Sequence, residues 1–218
     1  MNTLAKNKNW EIGATPNILK NIHQTDVNIA IYERDITSLS DEVNSLVEQN
    51  IEFRASGDIT TILNAISTGI NPNEYPQVVL DIQNLLHLYK EVTNSTSFRL
   101  LLATINNNMC RKFHTDVNDL RMLCTYTGPG TLWLTEDNIN QKALDARDDN
   151  ESIVLDESQI QQAKTGAVVI LKGAIYPQEG TRAIVHRSPT IEESGEKRLL
   201  LRLDTNEFAK MLSQAFED

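Results

Sequence analysis

The chain has 218 residues, enough for one domain, or one domain with a helical extension, and for a full core. Its 30 Asp and Glu outweigh 20 Lys and Arg, a formal net charge of -10 that excludes a nucleic-acid backbone as main partner, since phosphate contacts need clustered cations. No apolar run approaches the roughly 18 residues that span a bilayer, residues 1–13 lack a signal-peptide core, and only two cysteines, Cys110 and Cys124, are present. A reducing compartment suits that usage, so the expected address is the cytoplasm.

In chain order, residues 1–25 are polar and Asn-rich and read as a loosely held arm. Residues 27–34, VNIAIYER, alternate as a strand, and the next stretch places Leu39, Val43, Leu46 and Val47 at helical spacing. Residues 51–56 are a second short strand. A helix follows Gly57-Asp58, carries Ile59, Ile62, Leu63 and Ile66, and ends near Gly69. A longer amphipathic helix runs from about residue 74 to residue 93, with Val78, Val79, Ile82, Leu85, Leu86 and Tyr89 as its stripe. His87 on that helix and His23 in the arm read as surface or packing histidines.

From Ser97 the pattern changes to strands: FRLLLATI at 98–105, then CRKFHTD, then LRMLCTYT at 120–127. A Gly128-Pro129-Gly130 turn precedes TLWL. Residues 137–151 are charged and without period, hence an expected exposed loop. SIVL, AVVIL at 167–171, RAIVHR at 182–187 and RLLLRLD at 198–204 complete the strands, and EFAKMLSQAF reads as a C-terminal helix. Helices first and short strands after predict an α+β fold: a helix-rich part over 1–96 packed on an antiparallel sandwich or barrel over 97–218, the two forming one unit.

The chemistry concentrates between residues 109 and 134. On a strand, His114 and Asp116 point to one face and Thr115 to the other. An imidazole and a carboxylate so placed make half of a metal site, and His186, in a second strand-like segment, supplies the missing ligand. Two histidines and one carboxylate leave open positions, the arrangement of non-haem Fe(II) oxygenases; zinc accepts the same set. The bland alternative for His-x-Asp is a surface pair. Cys110 and Cys124 flank His114, with thiolate ligation as the alternative to small buried strand residues. Arg198 and Arg202 share a strand face with Leu200. An inward guanidinium needs an anion, either one of the chain's carboxylates or the distal carboxylate of a cosubstrate such as 2-oxoglutarate.

His114-x-Asp116, Arg121, Tyr126, Gly130-Thr131 and Trp133, followed by HRSPTIEESGEKRLLLRLD, resemble the prolyl-hydroxylase type of 2-oxoglutarate dioxygenase over roughly residues 109–204. The turn reads Gly-Pro-Gly-Thr rather than Gly-Gly-x-Thr, and Leu200 stands where that family has a small residue. The strings CRKFHTD, TYTGPGT and HRSP also resemble an uncharacterised bacterial family, a domain of unknown function, across most of the chain. The first resemblance implies a double-stranded β-helix (a jelly roll, cupin-like) binding Fe(II) through His114, Asp116 and His186. It further implies 2-oxoglutarate gripped by Arg198, with Arg202 as neighbour or substitute, and Tyr126 either adding a hydroxyl to the cosubstrate or packing in the core. A zinc or other divalent-metal enzyme and a non-catalytic metal-binding module are the rival expectations. The substrate and the oligomeric state are not readable.

Overall fold

The computed structural model describes residues 8–206. In chain order its strands are β1 (Trp10–Gly13), β2 (Ile29–Tyr32), β3 (Glu52–Gly57), β4 (Phe98–Ile105), β5 (Leu120–Thr127), β6 (Leu132–Trp133), β7 (Gln161–Gln162), β8 (Val168–Lys172), β9 (His186–Arg187) and β10 (Arg198–Thr205). They form a 7-stranded sheet in the order β1-β2-β8-β5-β10-β4-β3 and a 3-stranded sheet in the order β7-β6-β9. Only β1 and β2 pair in parallel; every other ladder is antiparallel.

Side-chain alternation gives the large sheet two different faces. On β10, Leu199, Leu201 and Leu203 are fully buried on one side, while Arg198, Leu200, Arg202 and Asp204 take the other. On β5, Met122, Cys124 and Tyr126 join the leucine side and Arg121, Leu123 and Thr125 the arginine side. The leucine side packs on α1 (Ser40–Glu48), α2 (Ile59–Gly69) and α3 (Pro76–Thr93), whose stripe of Val78, Ile82, Leu85, Leu86 and Tyr89 is buried with it. At about 25 cal/mol per Å2 of apolar area, this layer is the main hydrophobic contribution to the fold. Local chemistry sets ends of α2 and α3. Asp58 caps α2 by accepting the Thr61 N–H at 2.7 Å, Pro76 stands in the first turn of α3, and Asn94 ends α3 at φ 53°.

The arginine side is covered in part by the small sheet. Trp133, Ala163 and Ile184 pack there against Ile29, Ile31, Leu123, Val169 and Leu171. Strands from both sides of residue 96 share the large sheet, with β1, β2 and β3 at its margins.

Two expectations need correction. Residues 1–25 are not a loose arm throughout: β1 joins the sheet, and a 3-10 helix at Pro16–His23 buries Leu19 and Ile22 completely. Those two residues are three apart, which is the 3-10 repeat and too short a run to show as a helical period. Residues 137–151 are not an open loop either. They hold α4 (Gln141–Ala146) and the start of α5 (Asn150–Ile153), capped by the Asn140 and Asp149 side chains. Ala143 and Ile153 pack with Phe113, Leu134 and Val185, so SIVL closes a helix and is not a strand. The helix expected over EFAKMLSQAF lies outside the described residues.

Candidate metal centre

His114 and His186 are backbone partners: the N–H of each donates to the carbonyl of the other at 3.0 Å. His186 opens β9, held on its far side by Trp133 of β6. His114 has that single bridge and belongs to no strand, so strand alternation is not what brings Asp116 beside it. The turn after β8 does. Ala174 N–H donates to the Asp116 carbonyl at 2.8 Å, Gly173 N–H to Asp119 at 2.8 Å and Ile175 N–H to Asn118 at 3.1 Å. Gly173 makes this approach possible, because a Cβ there would overlap the Asn118 side chain and backbone.

His114 Nδ1 lies 2.8 Å from the Lys112 carbonyl and His186 Nδ1 3.3 Å from that of Ile184. A carbonyl only accepts, so each Nδ1 is the donor and each Nε2 is turned to Asp116. The Nε2 of His114 is 3.6 Å from one Asp116 oxygen and that of His186 is 3.2 Å from the other. All three donor atoms lie within 4.8 Å of one another, and no other such group of His, Cys, Asp or Glu occurs among the described residues. Two oriented imidazoles and a carboxylate fit a divalent transition metal.

The electrostatics are those of a preset anion. Burial pushes the Asp116 carboxyl up, but the bonds from His114 and His186 and the Arg121 charge outweigh it and hold the group well below the usual carboxylate range. The bond to Asp116 raises His114 despite burial.

Arg121 on β5 donates through Nη1 to Asp116 and through Nε to Asp204 at 2.6 Å. Asp204 is almost wholly buried and also meets Arg202 Nε at 3.2 Å. A line of alternating charge therefore runs from Asp116 through Arg121 and Asp204 to Arg202. Sequence reasoning gave Arg121 no role and missed Asp204, although Asp204 is the fourth member of the series that includes Arg198 and Arg202.

Arg198, the first residue of β10, is 2 % exposed. Its Nη2 donates to Thr125 Oγ1 at 3.1 Å, its Nε has no partner, and no carboxylate pairs with it among the described residues. Burial pushes its pKa down to about 10. Its stem is pressed by the turn after β5: Gly128 has φ 78°, and a Cβ there would stand 2.7 Å from Arg198 Cγ. Arg198, Arg202, Arg121, His114 and His186 line one cavity of about 70 Å3, with Leu200 and Leu123 among its apolar walls.

Tyr126 is not brought to this cavity. It stands an odd number of positions from Arg121 on β5, hence on the helix side, where its hydroxyl donates to Asp81 at 2.7 Å. Asp81 also takes both terminal nitrogens of Arg34. Cys124 lies on the same side, 3.4 Å from Arg34 Nη2, while the exposed Cys110 lines the cavity and neither cysteine belongs to the ligand group. His23 is engaged by the Tyr176 hydroxyl at 2.7 Å and the Val92 carbonyl at 2.8 Å, and His87 is exposed on α3.

Among the described residues no helix is long and apolar enough to cross a membrane. No curated protein matches the chain. Among solved structures it is similar to the dioxygenase for auxin oxidation 1 from Arabidopsis thaliana in complex with 2-oxoglutarate. The identity is 10%, over 87% of this chain and 86% of that one, with a TM-score of 0.48. It is also similar to a Pseudomonas putida prolyl-4-hydroxylase, at 9% identity over 87% of this chain and 97% of that one, with a TM-score of 0.45. Likeness at this level assigns no role to any side chain. A family model described as "Protein of unknown function (DUF1826)" matches residues 13–204, and the chain belongs to that family.

Proposed function

We propose that the chain is a non-haem Fe(II)/2-oxoglutarate-dependent oxygenase on a double-stranded β-helix, with His114, Asp116 and His186 as ligands. The observation that carries this reading is Arg198, a buried cation with no carboxylate partner among the described residues, in the cavity that His114 and His186 also line. A guanidinium so placed is costly unless an anion completes it. The distal carboxylate of a keto acid would do so, leaving its other end for a metal held by His114, Asp116 and His186. Bound Fe(II) would supply the activation of dioxygen; the rest is the work of side chains. His114 and His186 present Nε2 because their Nδ1 protons are spent on carbonyls. Arg121 holds Asp116 in its charged form and in place. Leu123 and Leu200 keep the cosubstrate's chain dry, so that the bond to Arg198 is stronger than it would be in water. Arg202 is already committed to Asp204 and serves as neighbour to Arg198. A zinc hydrolase would give a dry, unpaired arginine beside its metal nothing to do.

The test is an anaerobic titration of the Fe(II)-loaded protein with 2-oxoglutarate, following the charge-transfer absorption of keto-acid chelation. Wild type should show the band. Arg198→Leu should bind 2-oxoglutarate about 30- to 1000-fold more weakly, the loss of roughly 2–4 kcal/mol from a charge-assisted pair, with metal content unchanged. A fully loaded wild type without the band rejects the oxygenase reading.

A further inference from the structure

Past the metal cavity, the arginine side of the large sheet continues to its edge at β3. Register puts Arg202, Leu101 and Arg54 in one row across β10, β4 and β3, and Asp204, Arg99 and Ser56 in the next. Residues directly opposite on antiparallel strands share a face, so Arg54, Arg99 and Arg202 all project on the side that carries the ligands. They wall a groove of about 330 Å3 together with Ser56 and Leu101. Arg202 and Leu101 line the metal cavity as well, so groove and cavity adjoin.

The charge on this face is opposite in sign to that of the chain. Arg54, Arg99, Arg121, Arg198 and Arg202 stand there against Glu52, Asp116 and Asp204, in a protein of net charge -10. Asp116 and Asp204 are consumed by the histidines and by Arg121, and Asp204 reaches Arg202 only at Nε. Glu52 lies 2.9 Å from Arg54, but the two side chains are 62% and 63% exposed, and such a pair contributes little. Arg99 is exposed and makes no ion pair among the described residues. Burial, and then the charges of Arg121 and Arg54, push Arg202 down against the pull of Asp204. Like charges gathered at the mouth of a metal cavity repel one another until an anion joins them. Arginine in place of lysine gives each a planar fork that matches an oxyanion through two bonds.

We infer that this groove is the primary-substrate site, taking a small molecule that carries a carboxylate or phosphate, which Arg54, Arg99 and Arg202 hold while its apolar part lies over Leu101 towards the metal. The inference rests on the oxygenase reading for the word substrate; the oxyanion site itself does not. Arg202 forms the boundary between the two subsites, so the cosubstrate's carboxylate and the substrate's oxyanion lie on opposite sides of one guanidinium.

The experiment uses the 218-residue chain free of metal and 2-oxoglutarate, at low ionic strength. Calorimetric titrations with inorganic phosphate and, separately, with malonate distinguish the two sources of the oxyanion. Arg198→Leu serves as a second background, since it removes the cavity's own cation. One or both probes should bind wild type and Arg198→Leu equally. Adding Arg54→Gln and Arg99→Gln should weaken that binding about 10- to 100-fold, the effect of one or two charge-assisted bonds. Both residues are exposed, Arg54 on the edge strand and Arg99 on the strand next to it, and an unchanged melting temperature verifies the fold. With Mn(II) in the metal site, the 31P relaxation of bound phosphate should be enhanced in wild type and return to the free value in the Arg54→Gln/Arg99→Gln protein. Binding that survives the double substitution, binding that disappears with Arg198→Leu instead, or no binding of either probe overturns the inference. Because these titrations contain neither metal nor keto acid, a missing chelation band would remove the oxygenase reading and leave the oxyanion site to stand or fall on its own result.

Discussion

Asp116 owes part of its orientation to residues that never reach the metal position. Asp204 anchors Arg121, and Arg121 anchors Asp116. Asp204→Ala should therefore act twice. It leaves two largely buried guanidiniums without their shared carboxylate, a loss of roughly 3–5 kcal/mol in unfolding experiments. It should also weaken metal binding by about 10- to 100-fold, because the arginine that orients Asp116 loses its anchor; competition with a chromophoric chelator reads that. The His114 imidazole gives a pH signature in the metal-free protein. Its folded pKa is raised, so its stabilisation is complete below the unfolded value of about 6.5 and is lost as pH climbs through the folded value. Lys172 works the other way: burial holds it at about 8, so its cost is relieved as pH rises beyond that. The difference in melting temperature between wild type and His114→Gln isolates the histidine, and that difference should shrink from pH about 6.5 upwards. A constant difference would mean that no proton is held between His114 and Asp116. Metal affinity should rise over the same interval, since Nε2 must be free to ligate.

Among the elements, α3 and β5 are joined by a polar contact within an apolar layer. Asp81 takes Arg34 at 2.5 and 2.8 Å and the Tyr126 hydroxyl at 2.7 Å, on the side of the sheet away from the ligands. Asp81→Ala should cost roughly 3–5 kcal/mol of stability and leave metal affinity at the wild-type value, the converse of Asp204→Ala. A parallel loss of metal from both variants would show that global loosening, rather than Arg121, governs the site. The contrast follows from parity along β5, and parity was legible in the sequence: Arg121 and Tyr126 cannot share a face of a regular strand. The long periodic elements were equally legible, because α3 and β10 repeat their pattern over several turns or pleats. Short pieces were not. The Pro16–His23 helix, α4 and α5 each offer too few residues for a period to emerge, and their caps are side chains common in any loop.

At the scale of the whole molecule, the sequence carried the three candidate ligands but not the means of bringing them together. His114, Asp116 and His186 could be picked out by residue type and spacing, and Arg198 by its alternation with leucines. That His114 sits outside a ladder, and that Asp116 is held by the turn at Gly173–Ile175, are contacts between distant segments that no local pattern encodes. The acidic overall charge likewise concealed the arginines gathered on one face of the large sheet, because a net figure averages over every face.

The reciprocal backbone pair between His114 and His186 has a mechanical consequence. Two ligands that share one pair of hydrogen bonds behave as halves of a clasp, and a metal across their rings would rivet a strand to a segment that has no ladder of its own. The long excursion of chain between them, with α4, α5, the small sheet and the turn that holds Asp116, is cinched at its two ends by this clasp. Fraying of the His114 segment and escape of the ion are then a single event, so the ion's residence time and the closure of that loop share one clock.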